Sequence, residues 1–229
     1  MTAFDHYDPD ALAFLSDLRA NNSRAWFTEQ KARYEQRIKA PSQDFAAQMA
    51  MALEAVSGHS IKSKMFRIHR DVRFSKDKTP YNAHVHLSFA PDGLGDAPPM
   101  WFFGLSPERL TLGCGVFEYG KAALDRFRAA MAGPKGADLI DLGHRLEAAG
   151  LRVSEPQLKR VPAGYDKDHP HGEALRRKGF SVWRDMAPAF VTAPGLVSRS
   201  MEAMTPLRPV FDLLCEIPDP ESARGSNSG

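Results

Sequence analysis

MFRIHRDVRFSKDKTPY, residues 65–81, and the segment just beyond it, His84-Val85-His86-Leu87-Ser88-Phe89, decide how this chain is read. A strand alternates its side chains with a period of two. On that period Phe66, Ile68, Val72 and Phe74 share one face, and Arg67, His69, Asp71 and Arg73 share the other. Arg70 falls among the apolar side chains. A guanidinium there needs a carboxylate, a cluster of carbonyls or a bulge that turns it outward. Residues 75–81 read as a turn, because Asp77 can bond its own backbone two residues on and Pro80 cannot continue a ladder. Residues 84–89 then alternate again, with His84, His86 and Ser88 on one side. The expectation is a long-looped hairpin of strands over 66–74 and 84–89. With matching registers, His84 and His86 would share a face with His69 and Asp71.

Charge is concentrated here. Between His59 and His86 there are seven Lys or Arg against two Asp, a local balance of +5 in a chain whose net charge is +2. Arg67, Arg70 and Arg73, spaced three apart with Lys76 and Lys78 nearby, suit a phosphate, sulfate or carboxylate, since arginine's forked donors fit oxyanions. Over all 229 residues, 43% apolar content is ordinary for a chain with a real core. A pI near 8.5 is too mild to argue for nucleic-acid binding by itself. Cys114 and Cys215 lie far apart in unlike contexts, which favours a reducing compartment over a disulfide framework. The start, MTAFDHYDPDALAF, lacks the basic lead and apolar core of a signal peptide. No apolar run approaches the roughly 18 residues of a membrane span. The expectation is a cytoplasmic chain with no membrane partner.

Working outward, Leu12, Leu15 and Leu18 mark a helix over 10–20. Asn22 or Ser23 should cap a second helix reaching Ala40, with Trp26, Phe27, Tyr34 and Ile38 inside. Pro41 should open a third, carrying Phe45, Met49, Leu53 and Val56 and ending at Gly58. Residues 90–100 hold three Pro and two Gly and read as loop. Two strands follow at 101–106 and 110–117. Gly113 and Gly115 on one strand face mark close approach by a helix or ligand, with Cys114 an inert core thiol. Helices are expected over 120–132 and 137–149, a short edge strand at 151–154, and a closing helix over 195–217 kinked at Pro206 or Pro209. The fold class is α+β: a mostly antiparallel sheet covered by helices from the N-terminal, middle and C-terminal parts. One domain should span 1–217, followed by a disordered tail at 218–229.

A second unusual stretch runs Pro162-Ala163-Gly164-Tyr165-Asp166-Lys167-Asp168-His169-Pro170. Pro170 suits a first helical turn, so Asp168 or His169 should cap a helix through Arg177 that Gly179 closes. The same loop could instead fold over the arginine-rich strand, with Asp166 or Asp168 pairing Arg70 or Arg73 and Tyr165 facing the shared pocket. The pattern Arg67-x-x-Arg70-Asp71-x-Arg73-Phe74-Ser75, followed by Asp77-Lys78-x-x-Tyr81, resembles the signature of the bacterial family named domain of unknown function 2461. The resemblance extends to residues 21–27 and to Gly164-Tyr165-Asp166-x-Asp168-His169-Pro170. It implies membership and carries no reaction. His69 and His86 stand outside the signature.

Three functions compete. The first is an oxyanion pocket for a phosphorylated or carboxylated small molecule, with or without catalysis. Arg67, Arg70, Arg73 and Lys78 would hold the anion, Tyr81, Tyr165, Asp166 and Asp168 would complete the site, and Asp71 and His84 would move protons. The second is a metal-dependent hydrolase built on His84-x-His86 with His69 and nearby carboxylates, a reading that the surrounding positive charge opposes. The third is a non-enzymatic module using the basic hairpin to bind nucleic acid or a protein. Against it, Phe66, Phe74 and Phe89 are expected among aliphatics, where no base could stack. The sequence leaves the cofactor unknown, and several common activities lack their signatures: there is no Gly-Lys-Ser/Thr phosphate loop, no dinucleotide fingerprint, no Gly-x-Ser-x-Gly elbow and no zinc-spaced cysteine pair.

Overall fold

The computed structural model describes residues 4–217. Their contacts gather into two compact units: residues up to 89 with 102–112 and 185–203, and residues 90–101 with 113–184 and from 204 on. The strands are β1 (Ile61–Met65), β2 (Val85–Pro91), β3 (Met100–Leu105), β4 (Leu110–Val116), β5 (Arg152–Val153) and β6 (Phe180–Met186). They form a six-stranded antiparallel sheet in the order β1-β2-β3-β4-β6-β5. The α+β class and the antiparallel sheet expected from the sequence are those of the protein.

In the first unit, α1 (Asp10–Ala20) buries Phe14, Leu15 and Leu18. Ser23, of the two expected caps, starts α2 (Arg24–Glu29) by accepting from Trp26 N at 3.3 Å. The expected single helix to Ala40 is instead α2, α3 (Lys31–Tyr34) and a π-helical turn at Glu35–Lys39, which runs directly into α4 (Ala40–Ser57). The widened turn ends where Pro41 takes an N–H out of the ladder, so the helix adjusts rather than restarts. Gly58 closes α4 in the left-handed region at φ 73°. Phe45, Met49 and Leu53 are buried as read, whereas Val56 is exposed. α4 packs along β1. Tyr7 sits in this core and donates to Ser42 Oγ at 2.8 Å.

The expected strand over 66–74 is not there. The strand stops at Met65; Phe66 N still donates to His86 O at 3.0 Å, and further on the two arms meet at an isolated bridge, His69 with Tyr81. Local side chains compete for the backbone: Asp71 Oδ1 accepts from Arg73 N at 3.2 Å and Asp77 Oδ1 from Thr79 N at 2.9 Å. Pro80 supplies no N–H. The period-two face therefore dissolves. Ile68 is 6% exposed, but Phe66 is 48% and Phe74 96% exposed.

In the second unit, α5 (Lys121–Ala132) and α6 (Pro134–Ala148) pack on each other, and α6 begins three residues before its expected start, with Pro134 in its first turn. β5 is the predicted edge strand. Its neighbour β6 was not foreseen from the sequence, and it is what the β4 glycines face. A Cβ on Gly113 would lie 2.6 Å from Trp183 Cδ1, and one on Gly115, at φ +133°, would overlap the Phe180 carbonyl. The close approach is thus by a strand, not by a helix or a ligand. Instead of a helix reaching Arg177, α7 is one turn, Gly172–Leu175. Gly179 serves close backbone packing against the Val116 and Phe117 carbonyls rather than a helix stop. The closing helix is broken at the foreseen place: α8 (Leu196–Met204), a 3-10 turn at Thr205–Leu207 carrying Pro206, then α9 (Arg208–Cys215). The tail expected to be disordered, 218–229, lies outside the described residues.

Candidate functional site

An open polar cleft of about 370 Å³ is lined by Phe66, Arg67, His69, Arg70, Asp71, Asn82, His84 and His86, all from the first unit. Its geometry begins at Tyr81. Asn22 clamps that residue as a neighbouring strand would, donating through Nδ2 to Tyr81 O at 2.9 Å and accepting Tyr81 N at 3.1 Å. The Tyr81 ring stacks on Phe27 with centroids 4.1 Å apart and meets His69 edge-on. Tyr81 is therefore a buried anchor, 6% exposed. The irregular segment is tied down at this point by Arg70 N donating to Pro80 O at 2.9 Å and Asn82 N donating to Ile68 O at 2.7 Å.

Arg70 finds the carboxylate and carbonyl that its position demanded, and both come from its own loop. Nη1 donates to Asp77 Oδ2 at 2.5 Å, to Thr79 O at 3.1 Å and to Thr79 Oγ1. The Thr79 N–H and the Arg70 guanidinium hold the Asp77 carboxyl down to about 2. Arg73 forks onto Asp71, with Nη2 at 2.7 Å and Nε at 3.0 Å. That side-chain bond keeps Asp71 ionised below the usual carboxylate range and raises Arg73. Lys78 Nζ donates to the Val72 carbonyl at 3.0 Å. Arg67 is exposed at the rim, and no ion pair engages it among the described residues.

The two imidazoles stack face to face, with centroids 4.0 Å apart. Burial, then the neighbouring His86, Arg19 and Arg70, bring His84 down to about 4. Partial burial lowers His86 too; its ring lies close against Gly104, where a Cβ would come within 3.2 Å of it. Near neutral pH both rings are neutral, each with one N–H and one lone pair. They offer hydrogen bonds and proton transfer without adding charge to an already cationic rim.

The remaining predicted residues lie elsewhere. Tyr165, Asp166 and Asp168 belong to the second unit, and the cleft lining contains none of them. Asp166 Oδ1 accepts from Asp168 N at 2.9 Å, and His169 Nδ1 accepts from His171 N at 3.0 Å. Asp168 stands exposed beside Lys167 at 3.6 Å. The carboxylate partners of Arg70 and Arg73 are Asp77 and Asp71. Sequence reading missed Asn82 and the clamping role of Asn22. Asn22 carried a signal, since it lies within the 21–27 stretch of the resemblance.

The second unit has a separate cavity of about 270 Å³ near Tyr119, Arg126, Asp96 and Cys215. Burial pushes Cys215 up to about 12 and raises Cys114 as well, so neither thiol is an activated nucleophile. Among the described residues no group of three or more His, Cys, Asp or Glu is placed to hold a metal ion, and no helix is long and apolar enough to cross a membrane.

A family of conserved hypothetical proteins, DUF2461, matches residues 10–213. The chain belongs to the DUF2461 family. The matched span includes the whole cleft and both anchors, Asn22 and Tyr81. Among curated proteins there is no match.

Proposed function

We propose that this DUF2461 protein binds a small phosphorylated or carboxylated molecule in the cleft over His84 and His86. The observation that carries the reading is the stacked pair of uncharged imidazoles opening onto a rim that bears Arg67 and Arg70. Arg67 supplies the charge-assisted fork to the anion. Arg70, fixed by Asp77 and Thr79, adds positive potential from a rigid position. Asp71 orients Arg73 beside the entrance, and Lys78 holds the loop through Val72. His84 is the group able to accept a proton from a bound molecule, because its low pKa leaves the ring unprotonated near neutral pH.

Thermal denaturation with inorganic phosphate, nucleoside monophosphates and citrate tests this reading. A ligand at about 100 times its Kd stabilises the folded state by roughly 2.7 kcal/mol. At least one of these anions is expected to raise Tm, and Arg67→Ala is expected to remove the rise. Any change in binding between pH 8 and pH 6 should follow the anion's own ionisation, because His84 charges only near 4. The absence of any Tm shift across the three anion classes would overturn the proposal.

A further inference from the structure

The loop that defeats the strand reading places Phe66 and Phe74 outside, among charges. Phe74 is 96% exposed with the Arg73 guanidinium 5.9 Å from its ring centre, and Phe66 is 48% exposed with Lys64 Nζ at 4.9 Å. An aromatic ring left almost wholly in water gains nothing from the fold. Of the seven cations between residues 62 and 78, Arg70 and Arg73 are matched by Asp77 and Asp71. Lys64, Arg67, Lys76 and Lys78 are four further cations, and all four are exposed.

We propose that this face binds single-stranded nucleic acid, with Phe66 and Phe74 as stacking platforms and the lysines and Arg67 following the phosphates. A polyanion matches the sign and density of the charge. Exposed rings beside cations match unpaired bases, whose faces are open as those of a duplex are not. An anionic membrane would be met by the same charge, but insertion wants a cluster of apolar side chains, whereas here each ring has a cation beside it. The proposal shares Phe66 and Arg67 with the cleft lining but makes no use of the imidazoles, so His84 tells the two readings apart.

Fluorescence anisotropy with the full chain and a labelled oligothymidylate of about 20 nucleotides tests it. Affinity should fall with salt, with a log–log slope of about −2.8 if four phosphates are contacted. Phe66→Ala/Phe74→Ala should weaken binding about tenfold or more with Tm unchanged, because neither ring is in the core. His84→Ala should bind the oligonucleotide as the wild type does, which separates this proposal from the small-anion reading. A duplex of the same length bound as tightly as the single strand, with no effect of the double substitution, would overturn it in favour of simple charge attraction. So would phosphatidylserine vesicles captured in a Phe74-dependent way while the oligonucleotide is not.

Discussion

Arg67 and Arg177 are the same side chain in two settings. Arg67 stands at the rim of the imidazole cleft with no ion-pair partner among the described residues, whereas Arg177 is 4% exposed. The Arg177 guanidinium donates to Ser154 O and, at 2.7 Å, to Glu173 Oε1, and it lies 5.0 Å from the Phe180 ring centre. Both arginines come from basic stretches that look alike in sequence. The difference lies in what the neighbouring backbone offers. One turn of helix puts the part-exposed Glu173 four residues before the buried Arg177, so the charge is consumed by the fold. In residues 66–79 the two aspartates are consumed by Arg70 and Arg73, and Arg67 is left over. A basic cluster keeps a cation outside ion pairs only where the local carboxylates run out.

The comparison can be broken most directly at Arg177. Replacing it with Ala should cost about 2.5 kcal/mol, since the buried guanidinium's hydrogen bonds and its packing on Phe180 are both lost; chemical denaturation measures this. A loss under about 0.5 kcal/mol would mean that Arg177 is as dispensable as a surface residue. Asn22→Ala comes next, at about 2 kcal/mol, because the part-buried Tyr81 N–H and carbonyl each lose a partner. The pH dependence of stability should be gentler. The folded pKa of His84, about 4, lies below its ordinary value of 6.5, so the unfolded chain takes up the proton first. Stability present above pH 6.5 is therefore lost as pH falls toward 4. His84→Gln should flatten that decline, as read by Tm between pH 7.5 and 4.5. The smallest effect belongs to Arg67→Ala, which should leave stability within about 0.5 kcal/mol while weakening anion binding. A large stability loss there would move Arg67 into the same class as Arg177.

The Leu12-Leu15-Leu18 stripe, the Ser23 cap, the left-handed stop at Gly58 and the break at Pro206 were legible because each depends on contacts within a turn or two of chain. Gly113 and Gly115 announced close packing correctly, but not its partner. That partner, β6, sits some 65 positions later, beyond Gly179. Arg70's need for a carboxylate was also legible. Which carboxylate met it was not: Asp77 is seven residues away, and the reading looked more than ninety residues further, to Asp166 and Asp168.

The sequence by itself determined the family, the α+β class, most helix boundaries and the location of the charged segment, since composition, capping and periodicity are local properties. Tertiary structure decided that residues 66–74 leave the ladder, that Phe66 and Phe74 face water, and that His84 and His86 stack as neutral rings. Each of those outcomes is a competition. Asp71 and Asp77 compete with strand pairing for backbone N–H groups, and burial competes with protonation for the imidazoles. The balance depends on neighbours such as Asn22, Arg19 and Gly104 that only folding brings into place.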